Sequence, residues 1–424
     1  MNVCVFGLWH LGSVTSACLA GAGCDVTGLD EAEDVVDTLN KGHAPLFEPG
    51  LDDLIRRGID TGRLRFTTNA AEAVKHAAVV WVAFDTPVSE DDRADVNYVV
   101  SRVEALLSHL EPGALVIVSS QLPVGSVRAI ERRCPRKDIS FAALPENLRL
   151  GKAIEVFTKP DRVVAGVRND TDRARISKIL APLTERIEWM SVESAEMTKH
   201  AINAFLATSV VFINEIATIC EGVGADAKEV ERGLKSESRI GPRAYLSPGA
   251  AFAGGTLARD IAFLRELSAK AGRESPLIAS VKTSNDLHKG WTRRKLQMLL
   301  GDLRGRTVGV WGLTYKPGTD TLRRSSSVEL CGWLHDQGAR VVAHDPAVKS
   351  LPQELQSIIK LQSSPAGAAS GVDALVVATE WPIYRDVDLD TFAGLTVVDA
   401  NRFLCDKLEG HAAVRYVTIG KGSA

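Results

Sequence analysis

The chain has 424 residues, 45% hydrophobic and 24% charged, which is the composition of an ordinary soluble globular protein with two or three domains. Its formal net charge is −3 and no block of like charges stands out, so neither nucleic acid nor an anionic membrane is expected as a main partner. The longest purely apolar stretch, residues 77–84, is far shorter than the roughly 20 residues that span a bilayer.

The seven cysteines are scattered, odd in number and never spaced as CxxC. This pattern predicts neither a disulfide framework nor a zinc site, and we expect no metal. The first residues lack a basic leader, so no secretory signal is expected. Together these features predict a cytoplasmic protein.

The first part of the chain alternates strand and helix patterns. An apolar run over residues 2–6 ends at Gly7, a helix pattern covers about 11–22, and a second strand over 25–29 runs into Asp30. Further strands are expected at 78–84, 114–119 and 141–144. Such alternation predicts a doubly wound parallel sheet.

The middle of the chain is predicted to be helical. Residues 194–221 contain neither proline nor glycine, so one helix of about 28 residues would run roughly 40 Å. Gly222 and Gly224 are expected to end it, and Asp226 is a plausible N-cap for the next helix.

The strand–helix pattern returns near the C-terminus, with strands at 307–311, 340–343, 374–378 and 395–398 and a helix at about 327–337. The predicted fold is therefore α/β, with two Rossmann-like doubly wound parallel-sheet domains joined by a long central helix. We expect one Rossmann-like domain at 1–190, a central helical connector at 191–295, and a second Rossmann-like domain at 296–424.

The turn after the first strand carries part of a dinucleotide-binding fingerprint. GxGxxG would place glycines at Gly7, position 9 and Gly12, but position 9 is Trp9. Asp30, about twenty residues on, suits a ribose 2′-OH and would repel a 2′-phosphate, which favours NAD over NADP. The alternative is a Rossmann fold whose cofactor site is degraded or empty.

Motifs across nearly the whole chain carry a family resemblance. In order they lie at residues 42–51, 85–87 with 94–95, 120–125, 145–151, 160–164, 195–205, 238–241, 248–249, 254–255, 260, 312–317, 320 and 323. As an ordered set they resemble the UDP-glucose/GDP-mannose dehydrogenase family. The resemblance implies an NAD-dependent enzyme that oxidises a sugar C6 alcohol to a carboxylate, with a cysteine that captures the intermediate aldehyde.

The residues for alcohol oxidation match the family. Lys199 and Asn203 are four apart on one helix, so their side chains share a face, where an ammonium and an amide could stabilise an alkoxide. Asp260 would act with them through a water, and Glu146 matches a family glutamate. Lys199 could otherwise be a solvated helix lysine, and Asp260 a structural cap or salt-bridge partner.

The residues for the second oxidation do not match. Counting back from Asp260 puts Thr256 at the family's cysteine position, and aligning the glycine pair puts Leu257 there. Cys220 lies 17 residues beyond Asn203, about 25 Å along the helix, and most simply packs in the core. A threonine hydroxyl is a poor nucleophile without an adjacent base.

The resemblance also implies residues for both ligands. Gln121 replaces the usual threonine near the cofactor, and Lys316 would meet the diphosphate of the substrate. The cofactor set is Gly7, Trp9, Leu11, Gly12, Asp30, Thr86, Gln121, Arg259 and Arg323. The substrate set is Tyr245, Leu246, Gly249, Phe252, Gly254 and Lys316.

The resemblance therefore implies an NAD-dependent dehydrogenase of a UDP-hexose-like nucleotide-diphospho-sugar, and a homodimer or higher assembly. The missing thiol predicts oxidation outside the thioester route, ending at the aldehyde or keto level. A first alternative is a catalytically impaired nucleotide-sugar-binding or regulatory paralogue. A second is a β-hydroxyacid dehydrogenase, whose relatives also pair a lysine and an asparagine on a long helix; the second Rossmann-like half argues against it.

Overall fold

A computed structural model of the protein describes residues 1–87, 94–253 and 255–422 and divides the chain into two compact units, residues 1–202 and 203–424. The boundary falls within one long helix. The predicted division at residues 190 and 295 remains a prediction.

The first unit is built on an eight-stranded sheet of order β3-β2-β1-β4-β5-β6-β7-β8. Its strands are β1 Asn2–Phe6, β2 Asp25–Leu29, β3 Leu64–Thr67, β4 Val79–Val82, β5 Leu115–Val118, β6 Ser140–Ala143, β7 Val163–Gly166 and β8 Ile187–Met190. The first six are parallel in the 3-2-1-4-5-6 order of a dinucleotide-binding fold. Because β7 pairs antiparallel to β6, the prediction of a parallel sheet holds only for these six.

The central strands of this sheet are buried on both sides, because helices cover both of its faces. All four residues of β4 and of β5 are buried. The apolar side chains form two separate clusters, one containing Val5 and Ile117 and the other Phe6 and Val116. The helices are α1 His10–Gly21, α2 Glu33–Asn40, α3 Leu51–Asp60, α4 Ala70–Val74, α5 Val96–Leu106, α6 Ser126–Arg133, α7 Ala153–Thr158 and α8 Asp170–Leu180.

Helix α9, Val192–Val223, has 32 residues, four more than predicted. Gly222 lies inside it, contrary to the sequence prediction, and the helix ends before Gly224, which has a φ of +75° that favours glycine. The Asp226 side chain accepts the Lys228 N–H at the start of the next helix, as predicted. Cys220 is buried in the core, also as predicted.

By length and composition alone α9 could cross a membrane. A core helix of a soluble protein meets the same criterion, and 44% of its most apolar window is already buried within the protein.

The second unit contains a six-stranded, wholly parallel sheet of order β11-β10-β9-β12-β13-β14. Its strands are β9 Thr307–Trp311, β10 Arg340–His344, β11 Ile359–Leu361, β12 Ala374–Val377, β13 Thr396–Asp399 and β14 Arg415–Thr418. This is the same 3-2-1-4-5-6 order, so the chain contains the two Rossmann-like sheets that the sequence predicts.

Within the described residues, eight further α-helices belong to this unit. Three of its helical segments pack through a small apolar cluster that includes Ala207 of α9, Ile261 and Val281. The helices are α10 Ala227–Ser236, α11 Thr256–Lys270, α12 Pro276–Lys289, α13 Trp291–Leu300, α14 Ser326–Asp336, α15 Gln353–Gln356, α16 Pro365–Ala369 and α17 Cys405–Leu408.

Candidate active site

The turn between β1 and α1 requires glycine at two positions. Gly7 has a φ of +91°, and a Cβ there would lie 2.6 Å from the Phe84 ring. A Cβ on Gly12 would lie 1.6 Å from the Gly7 carbonyl oxygen. The two glycines therefore let the start of α1 approach the end of β1, which is the geometry that presents helix N–H groups to a pyrophosphate.

Trp9 occupies the position of the middle glycine without backbone strain. Its φ of −69° is accessible to any L-residue, and its carbonyl accepts the Ser13 N–H at 2.9 Å. The indole is 47% exposed. The turn itself is therefore intact, and the departure from the fingerprint lies in a side chain at its surface.

Two carboxylates bind backbone N–H groups around this turn. Asp30, at the end of β2, accepts from Leu8 at 2.7 Å and from Ala32 at 3.0 Å, and remains partly exposed. Asp85, after β4, accepts from the N–H of the buried Leu11 at 3.2 Å. Asp30 thus lies beside the turn, as its spacing in the sequence implies.

Thr86 and Gln121 follow neighbouring strands at the same edge of the sheet. The buried Thr86 hydroxyl donates to the Gln121 backbone oxygen at 2.9 Å. These contacts bring the cofactor residues predicted in the first unit to the carboxyl ends of β1, β2, β4 and β5. In a doubly wound fold this is the edge that binds ligands.

Lys199 and Glu146 lie near each other in the first unit. The Lys199 ammonium donates to the Asn147 amide oxygen at 3.2 Å. Burial raises the pKa of the Glu146 carboxyl, and the nearby Lys199 opposes that rise, as does the hydrogen bond donated by the Leu148 N–H. A carboxyl with a raised pKa beside an ammonium is typical of a proton-handling site.

Asn203 and Asp260 are hydrogen-bonded in the second unit. The Asn203 amide nitrogen donates to the Asp260 carboxylate, and both side chains are buried. The contact joins α9 to α11. Asp260 therefore fixes the orientation of the Asn203 amide, a structural role that is compatible with a catalytic one.

Helix α11 begins at Thr256, four residues before Asp260, so the two share a face one turn apart. Thr256 is exposed at the helix N-terminus, whereas Leu257 packs with the apolar cluster that includes Phe252. Of the two sequence alignments, the one with Thr256 at the cysteine position therefore puts an accessible oxygen there. Arg259, the residue directly before Asp260, is buried.

Residues 245–252, the predicted nucleotide-binding segment, carry four of the predicted substrate residues, and polar side chains hold the backbone of this segment. The Gly249 N–H donates to Asn214 Oδ1 at 3.0 Å, and its carbonyl lies 2.9 Å from His288 Nε2. The Ala250 N–H donates to Asn401 Oδ1 at 2.7 Å. Burial lowers the pKa of His288, so the neutral imidazole donates through Nε2.

The next part of the segment is held by Asn285, whose amide accepts the Phe252 N–H at 3.0 Å and donates to the Phe252 carbonyl at 2.8 Å. Tyr245 is 59% exposed and Leu246 is buried. Gly254, a predicted substrate residue, lies outside the described residues.

Lys316 and Arg323 lie in the long loop between β9 and α14. The Lys316 carbonyl accepts the Thr319 hydroxyl, and the Tyr315 N–H donates to Thr321, so this part of the loop turns back on itself. Lys316 is partly buried and Arg323 is exposed. Both cations belong to the second unit, as do Arg259 and the nucleotide-binding segment.

Sequence reasoning missed the buried side chains that hold the backbone of the predicted ligand-binding loops. Asn214, Asn285 and His288 are buried polar residues in helices. Glu196 and His200, both buried on α9, likewise bind backbone groups of residues 122–127. The available signal was a polar residue at an otherwise apolar helical position, as in the run around Asn214. In the part of the chain that the structure describes, no group of three or more His, Cys, Asp or Glu is arranged to hold a metal ion.

Comparison with known families accounts for all three parts of the chain. The NAD-binding-domain model of the UDP-glucose/GDP-mannose dehydrogenase family matches residues 1–184, its central-domain model residues 193–287, and its UDP-binding-domain model residues 309–407. The chain belongs to this family. The membership excludes a β-hydroxyacid dehydrogenase.

Named relatives agree with this family. The chain is 35% identical to a UDP-glucose 6-dehydrogenase of Pseudomonas aeruginosa, over 93% of this chain and 91% of the relative, and 35% identical to that of Rhizobium meliloti over 99% and 100%. Among solved structures, a UDP-glucose dehydrogenase of Pyrobaculum islandicum matches with a TM-score of 0.87 and 30% identity, covering 100% of this chain and 98% of the other.

This member of the UDP-glucose/GDP-mannose dehydrogenase family is an NAD-dependent oxidoreductase that acts on a CH–OH group of a nucleotide sugar. The predicted family, fold and cofactor are confirmed. The turn fits the cofactor, since Gly7 and Gly12 leave a cradle that a Cβ would fill, and Asp30 lies at the position of a ribose-binding acid.

Proposed function

We propose that this enzyme oxidises one hydroxyl of a UDP-hexose-like substrate by two electrons and releases an aldehyde, its hydrate or a keto-sugar without forming a thioester. The observation that carries the proposal is Thr256, an exposed hydroxyl at the first position of α11, four residues before Asp260, where the family resemblance calls for a cysteine.

In this proposal the reacting hydroxyl contacts the ammonium of Lys199 and the amide of Asn203, which lie on successive turns of α9. The ammonium stabilises the alkoxide as the proton leaves, and Asp260 accepts that proton through a water. Bound at the β1–α1 turn, NAD would supply the acceptor for the hydride of the same carbon. One C–H and one O–H bond are lost, and a C=O bond is formed.

A second oxidation by the family's cysteine route would need an accessible thiolate to capture the aldehyde. Of the seven cysteines, six are buried, and the pKa of the partly exposed Cys405 is raised, chiefly by burial. The buried Cys4 and Cys331 have pKa values raised to about 12 by burial, so neither supplies thiolate at neutral pH. Thr256 offers only a weak nucleophile.

Replacing Thr256 tests this proposal. A Thr256→Cys variant places a thiol at a helix N-terminus, where its pKa is lowered, and should raise the yield from one NADH per sugar toward two, with a carboxylate product. Thr256→Ser is the matched control and should stay at one. A Thr256→Cys thiol that alkylates readily while the yield stays at one would refute the assignment of residue 256.

The ligand-binding residues are proposed on the same basis. We propose that NAD contacts nine residues: Gly7, Trp9, Leu11, Gly12, Asp30, Thr86, Gln121, Arg259 and Arg323. Tyr245, Leu246, Gly249, Phe252, Gly254 and Lys316 are proposed to contact the nucleotide sugar, and Glu146 to exchange protons. Support comes from the shared strand ends in the first unit and from the backbone contacts that fix residues 249–252 in the second.

We also propose a cytoplasmic homodimer. The α9 helix exposes an apolar stripe at seven-residue spacing, Phe205, Phe212 and Ile219, which are 71%, 47% and 59% exposed. A second copy could bury this stripe. Sedimentation should report a dimer that Phe212→Glu converts to monomer, whereas Leu277→Glu, at another exposed apolar position, should leave it intact.

A further inference from the structure

A buried carboxylate on α9 caps another helix of the first unit. The loop between β5 and α6, residues 119–125, ends at Gly125, and α6 has no N-terminal side-chain cap from within that loop. Instead, Glu196 accepts the Gly125 N–H at 2.7 Å and the Val127 N–H at 3.0 Å. Only 6% of Glu196 is exposed. A carboxylate here satisfies two unpaired helix N–H groups and meets the positive end of the helix dipole.

A second side chain on the same helix binds the same loop. His200, one turn after Glu196 and 1% exposed, lies with Nε2 2.9 Å from the Leu122 carbonyl. The preceding carbonyl, that of Gln121, accepts the Thr86 hydroxyl. The backbone of the 119–125 loop is thus held in its middle, at Gln121 and Leu122, and at its last residue, Gly125.

Lys199 lies between these two anchors on α9, with its ammonium bound to Asn147. Gln121, Glu196, Lys199 and His200 also line one small cavity. Positions 196, 199 and 200, on neighbouring turns of α9, therefore carry the predicted catalytic amine and both side chains that bind the loop.

We propose that Glu196 and His200 are positioning residues that fix the 119–125 loop to the helix carrying Lys199, and so set where that loop meets NAD. This inference rests on the proposed contact between Gln121 and the cofactor. Charge-assisted hydrogen bonds to a carboxylate are stronger than neutral ones, which suits a contact that must hold a loop in one place.

Glu196→Gln tests the first anchor. Glutamine keeps the shape but has one acceptor oxygen, so its NH₂ group faces one of the two N–H donors. We expect the Kd for NAD to rise about tenfold. The Kd for the probe UDP-glucose should stay within about twofold, because the nucleotide-binding segment belongs to the other unit.

Asp172→Asn is the matched control. Asp172 is also a buried carboxylate of the first unit with two side-chain partners, the Ser140 hydroxyl at 2.8 Å and the Asn169 amide at 2.8 Å. Ser140 is the first residue of β6, so this contact is at the amino edge of the sheet, away from the ligand edge. Asp172→Asn should lower the melting temperature and leave the Kd for NAD unchanged.

His200 provides a test that does not depend on Glu196→Gln folding. His200→Phe removes the donor to Leu122 and should weaken NAD binding about fivefold, whereas His200→Gln keeps a donor and should restore most of that loss. Equal NAD affinity in folded His200→Phe and wild type, or in folded Glu196→Gln and wild type, overturns the inference. So does a loss of affinity in Asp172→Asn equal to that in Glu196→Gln.

Lys199→Ala separates this inference from the proposed function. It should abolish turnover and leave the Kd for NAD near wild type. If Lys199→Ala keeps full turnover, the proposed chemistry fails while the positioning role still stands or falls on the Glu196 and His200 variants.

Discussion

The two sheets of the chain have the same strand order, but the glycine turns that follow their first strands differ. In the first unit only Gly7, Leu8 and Trp9 separate β1 from α1, and Gly12 lets the helix start against the strand end. In the second unit, residues 312–325 separate β9 from α14. The short turn brings a helix N-terminus to the strand end, and the long one replaces it with a loop that carries Lys316 and Arg323.

The acids after the second strand of each sheet differ in the same way. Asp30 has two backbone partners and remains partly exposed. Asp345 is 3% exposed, and its Oδ2 accepts from the Leu313 and Thr314 N–H groups, the Thr314 hydroxyl and the Trp381 indole. The same topological position thus carries a partly exposed acid, the proposed ribose partner, in one unit and a buried acid that holds a loop in the other.

The largest expected effect comes from adding a methyl group to each turn. Gly12→Ala places Cβ in the Gly7 carbonyl, so the turn must open, and NAD affinity should fall on the order of 100-fold. Gly312→Ala, with a φ of +92° and a Cβ 2.3 Å from Thr379, should lower the melting temperature but not the NAD affinity of the folded protein. Titration calorimetry and thermal melts compare the two.

Exchanging the two acids for amides should lower mainly the stability in the case of Asp345 and mainly the NAD affinity in the case of Asp30. Asp345→Asn leaves several buried donors short of an acceptor and should cost about 1–3 kcal/mol of stability, with little change in NAD affinity. Asp30→Asn should weaken NAD binding about tenfold and cost less stability. Denaturant melts and NAD titrations measure both variants. Equal losses of stability and equal losses of NAD affinity in the two would contradict the comparison.

Much of this contrast is visible in the sequence, but not all. Gly7, Gly12 and Asp30 follow from local spacing, because strand, turn and acid lie within thirty residues. The antiparallel orientation of β7 does not follow from local spacing, since it depends on the pairing of Ala143 with Gly166. Nor do the ties of the nucleotide-binding segment, because Asn401 reaches Ala250 across 151 residues. Such contacts depend on the folded chain.

A smaller effect is expected for Glu231, which supports the second unit. Its carboxylate accepts from Ser247 at 2.6 Å, within the proposed nucleotide-binding segment, and from Lys228 and Lys235. Burial alone would raise the pKa of Glu231, but these hydrogen bonds outweigh it and lower the pKa to about 2.

Because the folded-state pKa is depressed, the stabilisation by Glu231 is present above the unfolded value of roughly 4.3 and is lost as the pH falls toward about 2. Glu231→Gln should therefore be less stable than wild type at pH 7 by about 1–2 kcal/mol, and the gap should close below pH 4. Denaturant melts at several pH values measure it; a constant gap would count against the assignment.

The smallest expected effect concerns Trp9. The backbone there suits any residue, so Trp9→Gly changes only an exposed indole at the turn. NAD affinity should improve no more than about threefold, as the phosphates gain closer access to the backbone. The contact proposed between Trp9 and NAD is therefore one of the backbone, and a large loss of affinity in Trp9→Gly would show instead that the indole makes it.

The most direct test of the central claim is the product of the wild-type enzyme. Purified protein is given UDP-glucose with excess NAD, NADH is counted per sugar consumed, and the sugar product is identified by mass spectrometry. We expect one NADH and an aldehyde, its hydrate or a keto-sugar. Two NADH and a uronic acid would contradict the account.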